Sequence, residues 1–270
     1  MIQREQPDVV CLNELNGEWW YYVEQLLCGE DGVYGYSGRT AAGAEVSEFT
    51  GEKWDTTPLL LYNKGRYKLV EEGSFLCPAD ERGICTINNW AVLRDKATGA
   101  EFVAMAQHLA AGSTAVRIKI REDSARLIVD KIKEIAGELP VIIMGDYNCG
   151  EGSSPYEIFV DSGFHDSSHM NPTAAFRGTY SGWSLKADGT PAKDLDKSVP
   201  IDLIILSEDT GYGYSDHYPV LVELNMRKVE GEPEILFPII IIAAVAAVIA
   251  AAGLILAKMR KRPGRSVSWQ

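Results

Sequence analysis

Several acidic, amide and histidine side chains lie at the ends of short apolar runs in this 270-residue chain. A strand end holds a side chain on a rigid scaffold close to solvent, where a chemical site can be built. Carboxylate and amide oxygens bind hard divalent cations, and histidine exchanges protons near neutral pH. The pattern therefore indicates metal-assisted or acid–base chemistry. The candidate residues are Asn13, Glu14, Gln107, His108, Asp146, Asn148, Asp202, Asp216 and His217.

Each of these groups also has an ordinary structural explanation when it is taken alone. Asp146 and Asn148 are typical of a turn in which a side chain bonds its own backbone. A single histidine such as His108 is commonly a satisfied core residue, and Asp202 with His217 could be a buried pair that closes a sheet. Short motifs often match by accident. A functional interpretation therefore depends on the whole series and its order.

The elements that would position these residues are short apolar runs separated by turns and one amphipathic helix. Several runs are apolar on both faces, which is typical of strands in a buried sheet. The helix precedes Gly137 and Pro140, which predict its end, and its apolar face is formed by Ala125, Ile128, Val129, Ile132, Ile135 and Ala136. The mixture predicts an α/β fold of sheets covered by helices. The predicted strands are 9–12, 59–62, 91–93, 102–106, 141–144, 201–206 and 218–224.

Five motifs at these strand ends occur in a recognisable order: PDVVCLNEL, FVAMAQHLA, VIIMGDYN, PIDLIIL and YSDHYPV. Their series resembles that of the endonuclease/exonuclease/phosphatase superfamily, which includes DNase I-like nucleases, sphingomyelinases and inositol-phosphate phosphatases. The resemblance covers residues 2 to 225. It implies a two-sheet β-sandwich flanked by helices, the DNase I-like four-layer sandwich, and a divalent-metal-dependent phosphoester hydrolase activity.

The resemblance also implies a metal site. By this likeness, Glu14 is the principal ligand for Mg²⁺ or Mn²⁺, and Asp216 completes the shell of the metal or of its water. Asp146 and Asn148 would orient the attacking water and the phosphoryl group. A hard cation bound by oxygen ligands suits phosphoester hydrolysis because it neutralises the phosphoryl oxygens.

Proton transfer is assigned to histidines by the same likeness. His217 would be the general base, with Asp202 holding the imidazole in its working tautomer. His108 would donate a hydrogen bond to a phosphoryl oxygen. The pairing of Asp202 with His217 comes from the family, since the sequence does not show the distance between them.

Two departures from the family pattern favour an alternative interpretation. The family usually opens with a strand that carries an Asn of the metal site, whereas this chain begins in what resembles the following helix. Only nine residues, 208–216, separate Ser207 from His217, where the family often has a further strand. The alternative is therefore a truncated or catalytically impaired domain of the same fold that acts as a surface binding module.

The C-terminal part of the chain carries a different signal. Residues 235–257 form 23 consecutive residues without a charge, enough for a helix to cross a hydrocarbon core of ~30 Å. A buried core helix or a lipid-anchor signal would also be apolar, but the basic tail that follows favours a transmembrane helix. The predicted organisation is a domain over 1–230, a linker over 231–234, the span over 235–257 and a tail over 258–270.

Charge predicts the orientation of this span. Residues 234–270 carry a net charge of +4 and residues 1–233 carry −16, and basic flanks stay in the cytoplasm. We therefore expect a single-pass protein of the cell membrane with its domain outside, although the segment MIQREQPDVV has no apolar signal-peptide core. The chain then either inserts after translation or begins upstream of Met1.

Two features leave questions open. The acidity of the domain argues against sequence-independent binding of duplex DNA, so the phosphoester substrate could be a nucleic acid, nucleotide, lipid headgroup or sugar phosphate; no protein partner is predicted. The five cysteines contain no CxxC pair. Cys77 and Cys85 could bridge, and Cys11 is expected to be buried.

Overall fold

The computed structural model describes residues 2–14, 21–37, 58–83, 85–170, 200–207, 220–225 and 238–244. Two β-sheets face each other, and each is covered on its outer side. The strands are β1 Val9–Leu12, β2 Tyr34–Ser37, β3 Leu59–Asn63, β4 Tyr67–Leu76, β5 Ile87–Asp95, β6 Glu101–His108, β7 Val141–Asp146, β8 Phe164–Asp166, β9 Asp202–Ser207, β10 Val220–Asn225 and β11 Pro238–Ala244. The helices are α1 Ile2–Glu5, α2 Ala115–Ala136 and α3 Ser154–Asp161, with a π-helical turn at Glu24–Cys28 and a 3₁₀ turn at Ser167–Met170.

The sheet order separates the strands into two sets. The five-stranded sheet has the order β10-β11-β1-β3-β2, and the six-stranded sheet has the order β4-β5-β6-β7-β9-β8. This arrangement confirms the predicted α/β fold with two sheets, and all seven predicted strands are present in part or whole. Strands β2, β4 and β8 and helix α3 were not predicted.

Three apolar layers explain why so many strands are apolar on both faces. Side chains of alternate residues meet between the sheets, including Val9, Cys11, Phe102, Ala104, Ile142, Met144 and Ile204. The opposite face of the six-stranded sheet packs against α2 and α3 through Val103, Met105, Ile143, Ile128, Ile132 and Phe159. The opposite face of the five-stranded sheet buries Val10, Leu12, Leu59 and Leu61 beside Leu27 and Tyr34. A strand covered on both sides must be apolar at every position.

Helix α2 follows from its own sequence. The hydroxyl of Thr114 accepts a hydrogen bond from the Arg117 N–H at 3.3 Å, which caps the first turn. Gly137 ends the helix with φ of +56°, a conformation that glycine adopts without steric cost. The predicted end at Gly137 is confirmed, while the observed helix begins well before the predicted apolar stripe.

One buried ion cluster joins the two sheets at the end that precedes β1. Arg66 contacts Asp8, just before β1, at 2.5 Å and Asp95, at the end of β5, at 3.1 Å. Charged hydrogen bonds of this kind fix geometry because breaking either one leaves a partly buried charge unpaired. The sandwich is therefore tied together at this end.

The C-terminal apolar run differs from the prediction where the structure describes it. Residues 238–244 form strand β11, parallel to β1 with Val9 opposite Ile241, and antiparallel to β10. Within the described segments, no helix is long and apolar enough to cross a membrane, so the predicted transmembrane helix over 235–257 is not confirmed. The physical reason for the strand is that four consecutive isoleucines favour extended backbone, and an all-apolar segment suits an interior strand. Residues 235–237 and 245–257 lie outside the described part.

The structure also describes the cysteines and a strand beyond the predicted end of the domain. All five cysteines are free thiols, so Cys77 and Cys85 form no bridge, and Cys11 is buried as predicted. Strand β11 lies inside the five-stranded sheet, between β10 and β1. The sheet therefore extends past residue 230, where the domain was predicted to end.

Candidate active site

Three of the predicted residues meet at one edge of the six-stranded sheet. Strand β6 runs parallel to β7 with His108 opposite Asp146, and β9 runs antiparallel to β7 with Asp202 opposite Asp146. All three continue the alternation of side chains that pack between the sheets. Asp146 and Asp202 are only 7% and 5% exposed. The register thus places two carboxyls and an imidazole side by side, facing the other sheet.

The turn after β7 fixes the direction of the Asp146 carboxyl. Its Oδ1 accepts from the backbone N–H of Asn148 at 2.7 Å, while Oδ2 lies 3.7 Å from Nε2 of His108. The Asn148 side chain donates to the Leu109 carbonyl at 2.8 Å, and its φ is +47°. The predicted turn, in which the Asp146 side chain bonds its own backbone, is therefore present. It leaves the other carboxylate oxygen of Asp146 directed toward His108.

Close packing of backbone against backbone requires glycine at position 145. A Cβ atom there would lie 1.9 Å from the carbonyl oxygen of Gln107, and the φ of Gly145 is +146°. Both observations exclude a side chain without local rearrangement. This contact brings β7 close to β6 just before their strand ends and so sets the spacing between Asp146 and His108.

Strand β1 brings the five-stranded sheet to the same edge. With its amide oriented to satisfy both neighbours, Asn13 donates to the Gln107 carbonyl at 3.2 Å and accepts from the Asp146 N–H at 2.5 Å. Glu14 follows with φ of +56° and an exposed side chain. Its charge acts on both His108 and Asp146. Asn13 therefore joins the two sheets, and the charge of Glu14 acts on the cluster.

Burial dominates the electrostatics of this cluster. It raises the pKa of Asp146 to about 7, with the Asn148 N–H opposing the shift, Glu14 adding to it and Arg121 opposing it. Burial also lowers the pKa of His108, against the opposing charge of Glu14. The imidazole is therefore neutral at neutral pH, and its 3.7 Å contact with Asp146 is neither an ion pair nor a hydrogen bond. A neutral imidazole can still donate one N–H.

The donor set fits a hard cation that keeps most of its own water. In the described part of the chain, no three His, Cys, Asp or Glu side chains are grouped to hold a metal ion. Mg²⁺ commonly takes one or two protein carboxylates and completes its shell with water and phosphate oxygens. Glu14 and Asp146 supply two carboxylates. Burial raises the pKa of Asp146 most and the charge of Glu14 adds to the rise, so a bound cation would favour the ionised form of Asp146.

Two predicted residues lie outside the described segments. Asp216 and His217 belong to 208–219, so the pairing of His217 with Asp202 stays a prediction. The structure adds two residues that received no role from the sequence. Asn13 carried a signal, because it is a polar residue at a strand end. Arg121 carried another, because it lies four residues before Ala125 on the apolar stripe of α2 and is 5% exposed.

Comparisons with solved structures agree with this architecture. The chain is similar to an endonuclease/exonuclease/phosphatase from Bacteroides vulgatus (22% identity over 77% of this chain and 76% of that one, TM-score 0.59). It is also similar to a Bacteroides thetaiotaomicron mannosyl-6-phosphatase (21%, 78% and 74%, TM-score 0.56) and to D. rerio TDP2 complexed with single strand DNA product (18%, 85% and 82%, TM-score 0.52). At these identities the likeness establishes the fold alone. No curated protein sequence matches the chain.

A match to a protein-family model assigns the chain to a family. The Endonuclease/Exonuclease/phosphatase family model matches residues 1–222, which is most of the chain and includes every candidate site residue. The matched region contains the whole six-stranded sheet, strands β1, β2 and β3 of the other sheet, and the residues Glu14, His108, Asp146 and Asp202. By its sequence and its architecture, this chain belongs to the endonuclease/exonuclease/phosphatase family.

Proposed function

We propose that the chain is a divalent-metal-dependent phosphoester hydrolase whose site is the shared edge of the two sheets. The observation that carries the proposal is the register that aligns His108, Asp146 and Asp202 on adjacent strands. A protein of this fold to which the chain is similar is named as a mannosyl-6-phosphatase, an enzyme that acts on a phosphoester. Buried ionisable groups with shifted pKa values that converge from several strands mark functional sites more often than structural ones.

Each described residue has a role that follows from its contacts. Asn148 is held by the Leu109 carbonyl, so its remaining amide atoms keep one direction toward a phosphoryl group. Asp146 has one oxygen engaged by the Asn148 N–H and the other available to align a water molecule. Neutral His108 donates an N–H to a phosphoryl oxygen without adding a charge that the metal would repel.

Metal binding and general base catalysis are the parts assigned to Glu14, Asp216 and His217. Glu14 with Asp216 would hold Mg²⁺ or Mn²⁺, which when bound neutralises phosphoryl charge and lowers the pKa of water. His217 would accept the proton of the attacking water, and Asp202 would orient its ring. The burial of Asp202 beside Asp146 supports a place for it at the site.

The test is a hydrolysis panel on residues 1–270 in detergent, with Mg²⁺, Mn²⁺ or chelator. The panel holds a sugar phosphate, a nucleotide, an inositol phosphate, sphingomyelin, single-stranded DNA and RNA. We expect turnover of at least one class that disappears in chelator and returns with Mg²⁺. Full activity in chelator would contradict the metal assignment. Metal binding by calorimetry without turnover of any substrate would favour the alternative of a surface binding module.

Attachment to a membrane is a separate proposal, supported by the uncharged run 235–257 and the basic tail. A strand over 238–244 leaves at most 13 consecutive residues of that run, 245–257, or about 20 Å as a helix, which is shorter than the ~30 Å core. The strand and the span therefore exclude each other. Protease added to intact cells should digest residues 1–233 and spare an epitope at Gln270. Release of the protein by alkaline carbonate would favour the strand instead.

A further inference from the structure

The apolar face of helix α2 contains a charge that packing alone does not explain. Arg121 is 5% exposed, and it is the only Arg or Lys that is buried among the described residues. It lies on the same stripe as Ala125 and Ile128, which belong to the core beneath the helix. Its Nε is buried and has no hydrogen-bond partner in the described part. A buried, incompletely satisfied charge costs stability, and apolar replacements of such groups are often neutral or stabilising.

The guanidinium bonds the loop that follows His108. Nη1 of Arg121 donates to the carbonyl oxygens of Ala110 and Gly112, both at 2.7 Å. One nitrogen atom therefore bridges residues 110 and 112 within the connection 109–114 between β6 and α2. The first part of this connection, residues 109–112, is the 109–112 loop. Because Arg121 projects from a 22-residue helix packed on the sheet, its position is set by the core rather than by the loop.

The same loop holds the active-site turn. The Leu109 carbonyl accepts from the Asn148 side chain at 2.8 Å, and the Leu109 N–H donates to the Asp146 carbonyl at 2.9 Å. Leu109 lies between His108 and Ala110, so a shift of the loop displaces His108 and Asn148 together. The contacts form one continuous path from Arg121 through the loop to the site.

We propose that Arg121 is a positioning residue that holds the 109–112 loop, and through Leu109 the side chains of Asn148 and His108, in their working geometry. It touches no reacting group, because its side chain is buried beneath the loop. The proposal rests on the proposed function of the site, since it assigns a role to residues around it. This role distinguishes Arg121, which bonds the loop, from its neighbours on the apolar stripe, which pack in the core.

The experiment compares Arg121→Met, which keeps length without charge, with Arg121→Lys. Arg126→Met is the control, because Arg126 is an exposed arginine of the same helix that pairs with Glu122 and Asp123 one turn away. In metal-free protein, we expect amide exchange of peptides spanning 109–112 and 147–149 to accelerate at least about tenfold in Arg121→Met, with Arg121→Lys intermediate and the control unchanged. The melting temperature of Arg121→Met should stay close to wild type.

Kinetics supply the second readout. With a substrate from the panel, kcat should fall about 10–100-fold in Arg121→Met while KM changes less than about threefold, because small misplacements of catalytic groups affect the transition state most. Arg121→Lys should recover part of kcat. Unchanged exchange, or a loss explained wholly by unfolding, would overturn the proposal. If no substrate is hydrolysed, the proposed function fails by itself and the exchange result still decides the role of Arg121.

Discussion

The two sheets contribute to the site in different ways. The six-stranded sheet supplies His108, Asp146 and Asp202 from three adjacent strands, so hydrogen-bond register alone sets their spacing. The five-stranded sheet supplies Glu14 from one strand, and Glu14 reaches the others only because the sheets are packed face to face. The spacing of His108, Asp146 and Asp202 thus depends on local strand pairing, whereas the proposed metal ligand Glu14 depends on the docking of two layers.

The contacts between the sheets show how that docking is maintained. Asn13 joins the layers at the site through Gln107 and Asp146. Arg66 joins them at the other end through Asp8 and Asp95. An apolar layer lies between these two sets of polar contacts, and hydrophobic burial does not favour one relative orientation of the sheets. We therefore infer that the apolar layer stabilises the contact between the sheets, while the polar contacts at both ends fix their relative orientation.

The largest expected effect tests the proposed general base. His217→Ala should lower kcat by ~10²–10⁴-fold because it removes the general base. Asp202→Asn should cost the same or less, and the double variant should be little worse than His217→Ala because the pair acts as a unit. Steady-state kinetics beside circular dichroism would measure this, with exposed His165→Ala as the control. Reduced melting temperature with normal activity per folded molecule would show a structural pair instead.

A second prediction breaks the register itself. Gly145→Ala should lower the free energy of unfolding by roughly 3 kcal/mol, because its Cβ would meet the Gln107 carbonyl. Gly83→Ala is the matched control, since Gly83 also has positive φ but, among the described residues, no neighbouring atom within 4 Å of its Cβ position. It should cost only about 1 kcal/mol. Urea denaturation measures both. Equal losses would mean that backbone conformation, and not the close approach of β6 and β7, requires the glycine.

A third prediction sharpens the contribution of the five-stranded sheet. Glu14→Gln should reduce activity by about 10–100-fold at low Mg²⁺ and regain part of it at high Mg²⁺, because it weakens a ligand and leaves the base intact. Titration of kcat against Mg²⁺ distinguishes the two effects. Glu138→Gln, an exposed change beyond the end of α2, should leave the titration unchanged. A loss that no Mg²⁺ concentration reduces would remove Glu14 from the metal site.

The smallest expected effect concerns pH. The pKa of Asp146 is raised in the folded state to about 7, so the unfolded state loses its proton first and metal-free stability falls between about pH 4 and pH 7. Asp146→Asn should remove this fall. Relative to wild type, its melting temperature should therefore rise with pH across that window, by about 2–4 °C per kcal/mol.

Asp95→Asn provides a control of opposite sign. Burial raises the pKa of Asp95, but hydrogen bonds from Thr98, Arg66 and Ala97 outweigh it and leave the pKa lowered. That carboxylate stabilises the fold above about pH 4 and loses its effect as pH falls through its folded pKa. Asp95→Asn should therefore be destabilised most at neutral pH. Parallel curves for the two variants would contradict the electrostatic assignment of Asp146.

The sequence by itself determined seven of the eleven described strands, the end of the helix and the family. Runs such as Val9–Leu12 are apolar throughout because both of their faces are covered, and this pattern is visible without coordinates. Gly137 marks the end of α2 through its backbone freedom. The order of polar residues after successive strands indicated a site for phosphoester chemistry, and the site residues that the structure describes do lie at strand ends.

Only the tertiary structure decided which of those residues meet. Strand pairing places His108, Asp146 and Asp202 in one row, although the last is 56 residues from its neighbour Asp146. The contacts of Arg121 with the 109–112 loop are likewise invisible in a helical pattern. Residues 238–244 show the limit most clearly, because an all-apolar run satisfies both a membrane helix and an interior strand. Periodicity cannot distinguish these two structures. Strand pairing can, because residues 238–244 supply hydrogen-bonding partners to the backbones of β1 and β10.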